Sequence, residues 1–181
     1  MTEAKPILGY WNIRAGYRGN ANRYLLAHAG VDYEDKQYDC NDMSGWGADK
    51  ASGLGMDFPN LPYIIDGDFR LSESKAVSVY ICDRWCPALL GKNAEERAHI
   101  IMLQCIIEEA FMACVKLGFG SPDRAAAVAA GMEKMGPICD WLGSKKFLVG
   151  TNVSMVDYYM FEIIETFNAI DGDNGVYKAH P

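Results

Sequence analysis

The segment Asp57-Phe58-Pro59-Asn60-Leu61-Pro62-Tyr63-Ile64-Ile65-Asp66-Gly67 constrains this chain more than any other stretch. It joins an irregular loop to a short apolar strand through a Leu-Pro step. A second short strand, Phe69-Arg70-Leu71, follows, and then Ser72-Glu73-Ser74-Lys75-Ala76 reads as a helix start. X-Pro bonds are the ones for which the cis isomer costs little. A cis bond here turns the backbone N–H and C=O of Leu61 outward, in position to pair with an extended peptide ligand by strand addition. The alternative is a proline that simply opens an edge strand. The segment by itself is compatible with both.

The chain has 181 residues, half of them hydrophobic. That suits one large domain or two small ones with a real core. The net charge of −7 gives no bulk electrostatic footprint for nucleic acid. No segment is expected to reach the roughly 20 apolar residues of a membrane span, and the first residues hold no apolar signal-peptide core. The six cysteines form no C-x-x-C pair, which removes a zinc knuckle or dithiol redox motif. Four of them are expected in helical, apolar settings as reduced core residues, which fits a cytoplasmic, reducing compartment. The three histidines are scattered, so no metal site is expected.

Along the chain the character changes once. Ile7-Leu8-Gly9-Tyr10-Trp11 reads as a strand. Asn20 to Ala29 reads as a helix with Ala21, Tyr24, Leu25 and His28 on one face. Gly30 is a natural C-cap, and a second strand opens at Val31. A β-α-β unit of this kind favours a parallel strand pair. A short helix is expected near Trp46–Lys50, and a longer one from Ser74 to Trp85 with Val77, Tyr80, Ile81 and Trp85 inward. Residues 87–93 read as a linker between a mixed domain, 1–86, and an all-helical domain, 94–181. In the helical part, Ile100, Leu103, Ile107, Ala110, Cys114 and Leu117 recur at helical spacing. Ser121-Pro122-Asp123 is expected to start a further helix carrying Val128, Met132, Met135, Cys139 and Leu142 inward, and Pro137 to kink or interrupt it. Ser154-x-x-Asp157 reads as a capping box ahead of an apolar stripe from Val156 to Phe167. In that box the Ser154 hydroxyl accepts from the backbone three residues on, and Asp157 answers to the Ser154 N–H.

These motifs, in this order, resemble a cytosolic glutathione transferase, with most likeness to the mu class and some sigma-like character. Ile7 to Arg14 resembles the family's first strand and catalytic loop, and Asp57 to Gly67 its cis-proline segment. Ser72-Glu73-Ser74 resembles the site for the γ-glutamyl end of glutathione, and Phe147 to Ile164 the capped helix of its C-terminal domain. The likeness spans nearly the whole chain. It implies a thioredoxin-like α/β domain followed by an all-α domain. It also implies helices beyond His180-Pro181, so the chain is expected to be either partial or naturally short. Departures are present: Asn12 stands where the mu pattern has Asp, Glu73 where it has Gln, and no substrate-site Tyr is evident near 119–122.

The resemblance implies roles for specific residues. Tyr10 is the hydroxyl donor to the glutathione sulfur; taken alone, without the rest of the pattern, it reads rather as a strand-end aromatic filling the core. Ser74 and the helix N-terminus behind it bind the γ-glutamyl carboxylate, or Ser74 is an ordinary N-cap. Glu73 accepts from the ligand ammonium group, or is a favourable acidic residue near a helix start. The Leu61 main chain, beside Pro62, pairs with the cysteinyl part, and Asn60 supports that loop. Trp46 and Lys50 meet the glycyl carboxylate, or are a surface aromatic and a solvated charge. Trp11 lines the pocket beside the sulfur. Phe58 is the hydrophobic key of a homodimer. The expected reaction is conjugation of glutathione to small hydrophobic electrophiles. Two alternatives remain: a non-catalytic subunit within a larger assembly of partner proteins, and a sigma-like glutathione-dependent isomerase.

Overall fold

A computed structural model describes residues 4–13, 17–118 and 123–171. The chain divides into two compact units, residues 1–87 and 88–181. In the first, strands β1 (Ile7–Trp11), β2 (Glu34–Tyr38), β3 (Tyr63–Asp66) and β4 (Phe69–Ser72) form one sheet in the order β2-β1-β3-β4. β1 pairs with β2 in parallel and with β3 antiparallel, and β3 pairs antiparallel with β4. Helices α1 (Tyr17–His28), α2 (Ser44–Ser52) and α3 (Ser74–Trp85) complete the unit. The parallel β1–β2 pair is the outcome expected of a β-α-β unit, since a strand returning after a helix enters in the same direction.

The register of this sheet decides which side chains meet. Leu8 and Ile64 pair across β1 and β3, and both are fully buried. Gly9 lies opposite Tyr63, and a Cβ on Gly9 would come within 2.2 Å of the Tyr63 ring. Glycine is therefore required there for β1 to lie against that aromatic. β2 begins at Glu34 rather than Val31. The buried face of α1 is Ala21, Asn22, Leu25 and Leu26, while His28 is exposed and Tyr24 half-buried. The face is thus rotated from the expected one, because Asn22 is taken inward by the Ser78 hydroxyl of α3 and a satisfied amide can be buried. On α3 the inward residues are Ser74, Val77, Ser78, Ile81 and Cys82, with Tyr80 and Trp85 only half-buried.

The second unit holds α4 (Ala94–Gly118), α5 (Arg124–Leu142) and α6 (Met155–Asp171). Ile100, Leu103, Ile107, Ala110 and Cys114 of α4 are buried as their spacing predicts. By length and composition alone, Ala94–Val115 is apolar enough to cross a membrane, which corrects the expectation that no segment is. Its apolar stripe instead serves the packing of α4 with α5 and α6. α5 differs from expectation at both ends. Asp123 is the N-cap, its carboxylate accepting from the Ala126 N–H at 2.9 Å; Ser121, Pro122, the 119–122 stretch and His180-Pro181 lie outside the described residues. Pro137 does not interrupt the helix. The carbonyl that Pro137 cannot bond belongs to Glu133, an exposed residue. Cys139 faces outward, so three cysteines, Cys82, Cys86 and Cys114, are buried rather than four, and all six are free thiols. Residues 87–90, read as linker, form a 3₁₀ turn that buries Leu89 and Leu90.

α6 starts at the expected cap, with one bond reversed. Asp157 accepts the Ser154 N–H at 2.8 Å, as the box requires. The Ser154 hydroxyl, however, donates to the same carboxylate at 2.7 Å. The hydroxyl proton goes to the carboxylate because a hydrogen bond to a charged acceptor is the stronger one, and the Asp157 N–H is taken by the Ser154 carbonyl at 3.1 Å. The second Asp157 oxygen accepts from the Leu148 N–H at 2.9 Å, and the Leu148 carbonyl accepts from the Trp141 indole at 2.8 Å. One carboxylate therefore caps α6 and ties it to the end of α5.

Candidate functional site

The candidate site residues converge on one edge of the α/β unit. Tyr10 sits near the end of β1 with 6% of its surface exposed, in a cluster with Tyr38, Trp46, Leu61 and Tyr63. Trp11, Ile13 and Leu54 pack against that cluster. One face of Tyr10 rests on Gly19 of α1, where a Cβ would come within 2.0 Å of the ring. The guanidinium of Arg23 lies 5.8 Å from its ring centroid, within reach of a cation–π attraction. Arg23 is itself held from several sides. Its Nε donates to the Asp35 carboxylate at 3.1 Å, Nη1 to Asn20 at 2.6 Å, and Nη2 to the Trp11 carbonyl at 3.3 Å. The end of β1 is thus fixed in both backbone and ring.

The Leu61–Pro62 peptide bond is cis, so of the two readings of this proline the cis one holds. The β1–β3 ladder reaches Tyr63 and stops there, two residues past Leu61. Next to this turn, Asn60 Nδ2 donates to Glu73 Oε1 at 2.8 Å. Glu73 precedes α3 with φ 75° and ψ 116°, a conformation that side chains adopt only under constraint. Its side chain makes no cap bond to the helix. It is exposed, while Ser74, the first residue of α3, is 7% exposed. The Ser74 carbonyl accepts from the Ser78 hydroxyl at 2.9 Å. The end of the β1–β3 ladder, the cis turn and the amide N–H groups opening α3 thus stand together, a set suited to an extended ligand carrying a carboxylate and an ammonium.

α2 lies on the other flank. Trp46 is 6% exposed and is no surface aromatic. Its ring stacks on Tyr63 at 6.3 Å and meets Tyr38 edge-on at 5.5 Å. Lys50, one turn on, is exposed with its ammonium 5.9 Å from the indole centroid. Trp11 is half-buried, edge-on to Tyr38 at 6.4 Å. Phe58, at 81% exposure, is the most exposed of the large apolar side chains among the described residues.

A polar network under α2 is not anticipated by any motif in the sequence. The Tyr38 hydroxyl lies 2.6 Å from Asp49 Oδ2 and 2.8 Å from the Tyr63 hydroxyl, and Lys36 Nζ lies 2.6 Å from the same Asp49 oxygen. The Lys36 hydrogen bond, with that of Tyr38, holds the Asp49 carboxyl below its usual range. The same bond raises the Lys36 ammonium. Burial first, then the hydrogen bond to Asp49, pushes the Tyr38 phenol up. The signal available in the sequence was the i, i+2 spacing of Lys36 and Tyr38, which sets both on one face of β2. Among the described residues, no group of three or more His, Cys, Asp or Glu side chains is arranged to hold a metal ion.

Fold and site together define a thioredoxin-like ligand-binding unit joined to a helical one. Residues 6–83 match the family described as glutathione S-transferase, N-terminal domain, and residues 101–181 the corresponding C-terminal domain. A glutathione S-transferase of Tyrophagus putrescentiae is 32% identical over 170 residues, covering 89% of this chain and 74% of that protein. The class-mu 26 kDa isozyme of Schistosoma mansoni is 33% identical over 171 residues, covering 92% and 75%. A monomeric glutathione S-transferase from Necator americanus superposes with a TM-score of 0.75 at 19% identity, covering 98% of this chain and 93% of that one, which supports the fold. The chain belongs to the glutathione S-transferase family.

Proposed function

We propose that this chain binds reduced glutathione along the edge formed by Tyr10, the Leu61–Pro62 turn and the start of α3, and joins its sulfur to small hydrophobic electrophiles. The observation that carries the reading is Glu73. A strained, exposed carboxylate is tied to Asn60 and set directly before the buried Ser74 at a helix N-terminus. Structure that holds a residue in such a conformation usually has a functional reason to do so.

In this reading Ser74 and the α3 amides receive the γ-glutamyl carboxylate, and Glu73 its ammonium group. The Leu61 main chain pairs with the cysteinyl residue, with Pro62 fixing the turn and Asn60 bracing it. Trp46 and Lys50 meet the glycyl carboxylate, and Trp11 lines the wall beside the sulfur. A free thiol of pKa about 8.5 is mostly protonated at neutral pH, and the thiolate is the nucleophile. The Tyr10 hydroxyl donates to the sulfur and favours the anion, because a hydrogen bond to the charged form lowers its pKa. The thiol proton passes to solvent. The sulfur lone pair forms a carbon–sulfur bond with the electrophile, and the leaving group departs with its electron pair.

The protein acts in the cytoplasm as a homodimer, with Phe58 entering the helical unit of a second copy. Six free cysteines and an exposed phenylalanine beside a proline support that assignment. Neither an isomerase nor a non-catalytic subunit gains a specific observation of its own. The test is turnover of glutathione with a chloronitrobenzene, wild type against Tyr10→Phe. Conjugation that falls by about 10²-fold or more in the variant supports the reading. Equal rates in both, or no turnover above the buffer reaction, contradict it.

A further inference from the structure

We infer that Asp49 is a positioning residue for the glycyl end of glutathione, acting through Tyr38 and Tyr63 to hold α2, and so Trp46 and Lys50, in register on the sheet. The inference rests on the glutathione site proposed above and adds to it a residue that touches no ligand.

α2 has little to hold it by itself. It is nine residues long, contains two glycines, and its N-cap, Met43, makes no side-chain cap bond. Helices this short do not persist on intrinsic propensity. The two residues assigned to the glycyl carboxylate nonetheless sit on it. Asp49 lies between them on the chain, next to Lys50 and three residues after Trp46. Its Oδ2 is 2.6 Å from both Lys36 Nζ and Tyr38 Oη.

The direction of each proton in this network follows from charge. A carboxylate paired with an ammonium group accepts and does not donate. Tyr38 therefore donates to Asp49, and its oxygen is left to accept from the Tyr63 hydroxyl at 2.8 Å. The order is Tyr63 to Tyr38 to Asp49, with Lys36 donating from the other side. Tyr63 is anchored in turn, its ring filling the space over Gly9, one residue before Tyr10 on β1. The two rings that relay to Asp49 are the same two that seat Trp46, Tyr63 by stacking and Tyr38 edge-on. Trp46 and Asp49, three residues apart and so on one face of α2, both meet Tyr38, which fixes that face against the sheet. Freeing Asp49 lets Lys50, its exposed neighbour, leave its place.

A truncated ligand separates positioning from general support. Binding of glutathione is compared with binding of γ-glutamylcysteine, which lacks the glycyl residue, in wild type, Asp49→Asn and Asp49→Glu. Asp49→Asn is expected to raise the Kd for glutathione about tenfold and that for γ-glutamylcysteine less than about twofold. Asp49→Glu, which keeps the charge, is expected to recover part of the loss. Equal weakening of both ligands, or an unchanged glutathione Kd, overturns the inference while leaving the Tyr10 chemistry standing. A wild type that holds both ligands equally well overturns it too, since no glycyl contact would then exist to position. A wild type that binds neither removes the underlying site, and the inference with it. If Asp49→Asn loses its far-ultraviolet circular dichroism, Tyr38→Phe replaces it, because that change keeps the ring and deletes only the relay hydroxyl; the same split between ligands is expected.

Discussion

Asn60 donates its amide to the Glu73 carboxylate at 2.8 Å, across 13 residues of sequence, and Glu73 holds φ 75° where it does so. A loop residue ahead of the cis turn and a residue ahead of α3 are thereby locked to each other. The strain at Glu73 costs on the order of 1–3 kcal/mol. An exposed hydrogen bond of this kind returns about 1 kcal/mol, so the bond does not offset the whole strain.

Glu73→Gly and Glu73→Ala therefore separate the two effects. Both lose the Asn60 bond, but only glycine relieves the backbone. The Gly variant is expected to be more stable than the Ala variant by about 1 kcal/mol or more, read from urea midpoints. Both are expected to bind glutathione more weakly than wild type. An Ala variant as stable as the Gly variant would show that the conformation is not strained.

Gly19 bears on catalysis through packing. An alanine inside α1 would ordinarily favour the helix by about 1 kcal/mol. At this position the added methyl lands 2.0 Å from the Tyr10 ring, and overpacking costs about 1–3 kcal/mol. Gly19→Ala is expected to destabilise by about 1 kcal/mol on balance. It is also expected to lower kcat for conjugation, because the ring that moves is Tyr10. Thermal denaturation beside steady-state kinetics checks both parts.

Asp157 accepts bonds from Ser154 N, Ser154 Oγ and Leu148 N, at 2.8, 2.7 and 2.9 Å. Ser154→Ala removes only the hydroxyl bond and is expected to cost about 1 kcal/mol. Asp157→Ala leaves two backbone donors without their acceptor and is expected to cost about 2–3 kcal/mol. Equal losses in the two variants, by urea denaturation, would contradict the capping geometry.

Phe58 tests the proposed assembly. At 81% exposure it contributes little to the fold of one chain, so Phe58→Ser is expected to leave the unfolding midpoint of isolated chains nearly unchanged. It is also expected to convert a dimer to monomer in sedimentation velocity. A dimer that persists in the variant removes Phe58 from the interface.

What the sequence shows of this fold tracks its local punctuation. Pro62, Gly67 and the Ser72–Ser74 run mark the ends of β3, β4 and the start of α3, and these elements lie where the residues put them. The same holds for the stripe of α4. The bonding of the Ser154 hydroxyl was not legible, because the pattern S-x-x-D does not reveal that the Asp157 N–H goes to the Ser154 carbonyl while the hydroxyl donates to the carboxylate. Pro137 passes through α5 where the carbonyl it abandons belongs to an exposed residue, Glu133, and exposure is a property of the packed helix. The network at Asp49 joins residues 11 and 25 apart in sequence, and only the register of β1 with β2 and β3 brings them together. Tyr10, Glu73 and Ser74 were legible as candidates; the strain at Glu73 and the Gly19 shelf beneath Tyr10 were not.

The ionisation of bound glutathione tests Tyr10 as the donor to the sulfur. Thiolate absorbance is followed across pH with glutathione saturating, in wild type and in Tyr10→Phe. The expected result is a thiol pKa well below the free value of about 8.5 in wild type, and a return toward that value in Tyr10→Phe with binding retained. A bound thiol that titrates like the free one in wild type, or a lowered pKa that survives the loss of the Tyr10 hydroxyl, would contradict it.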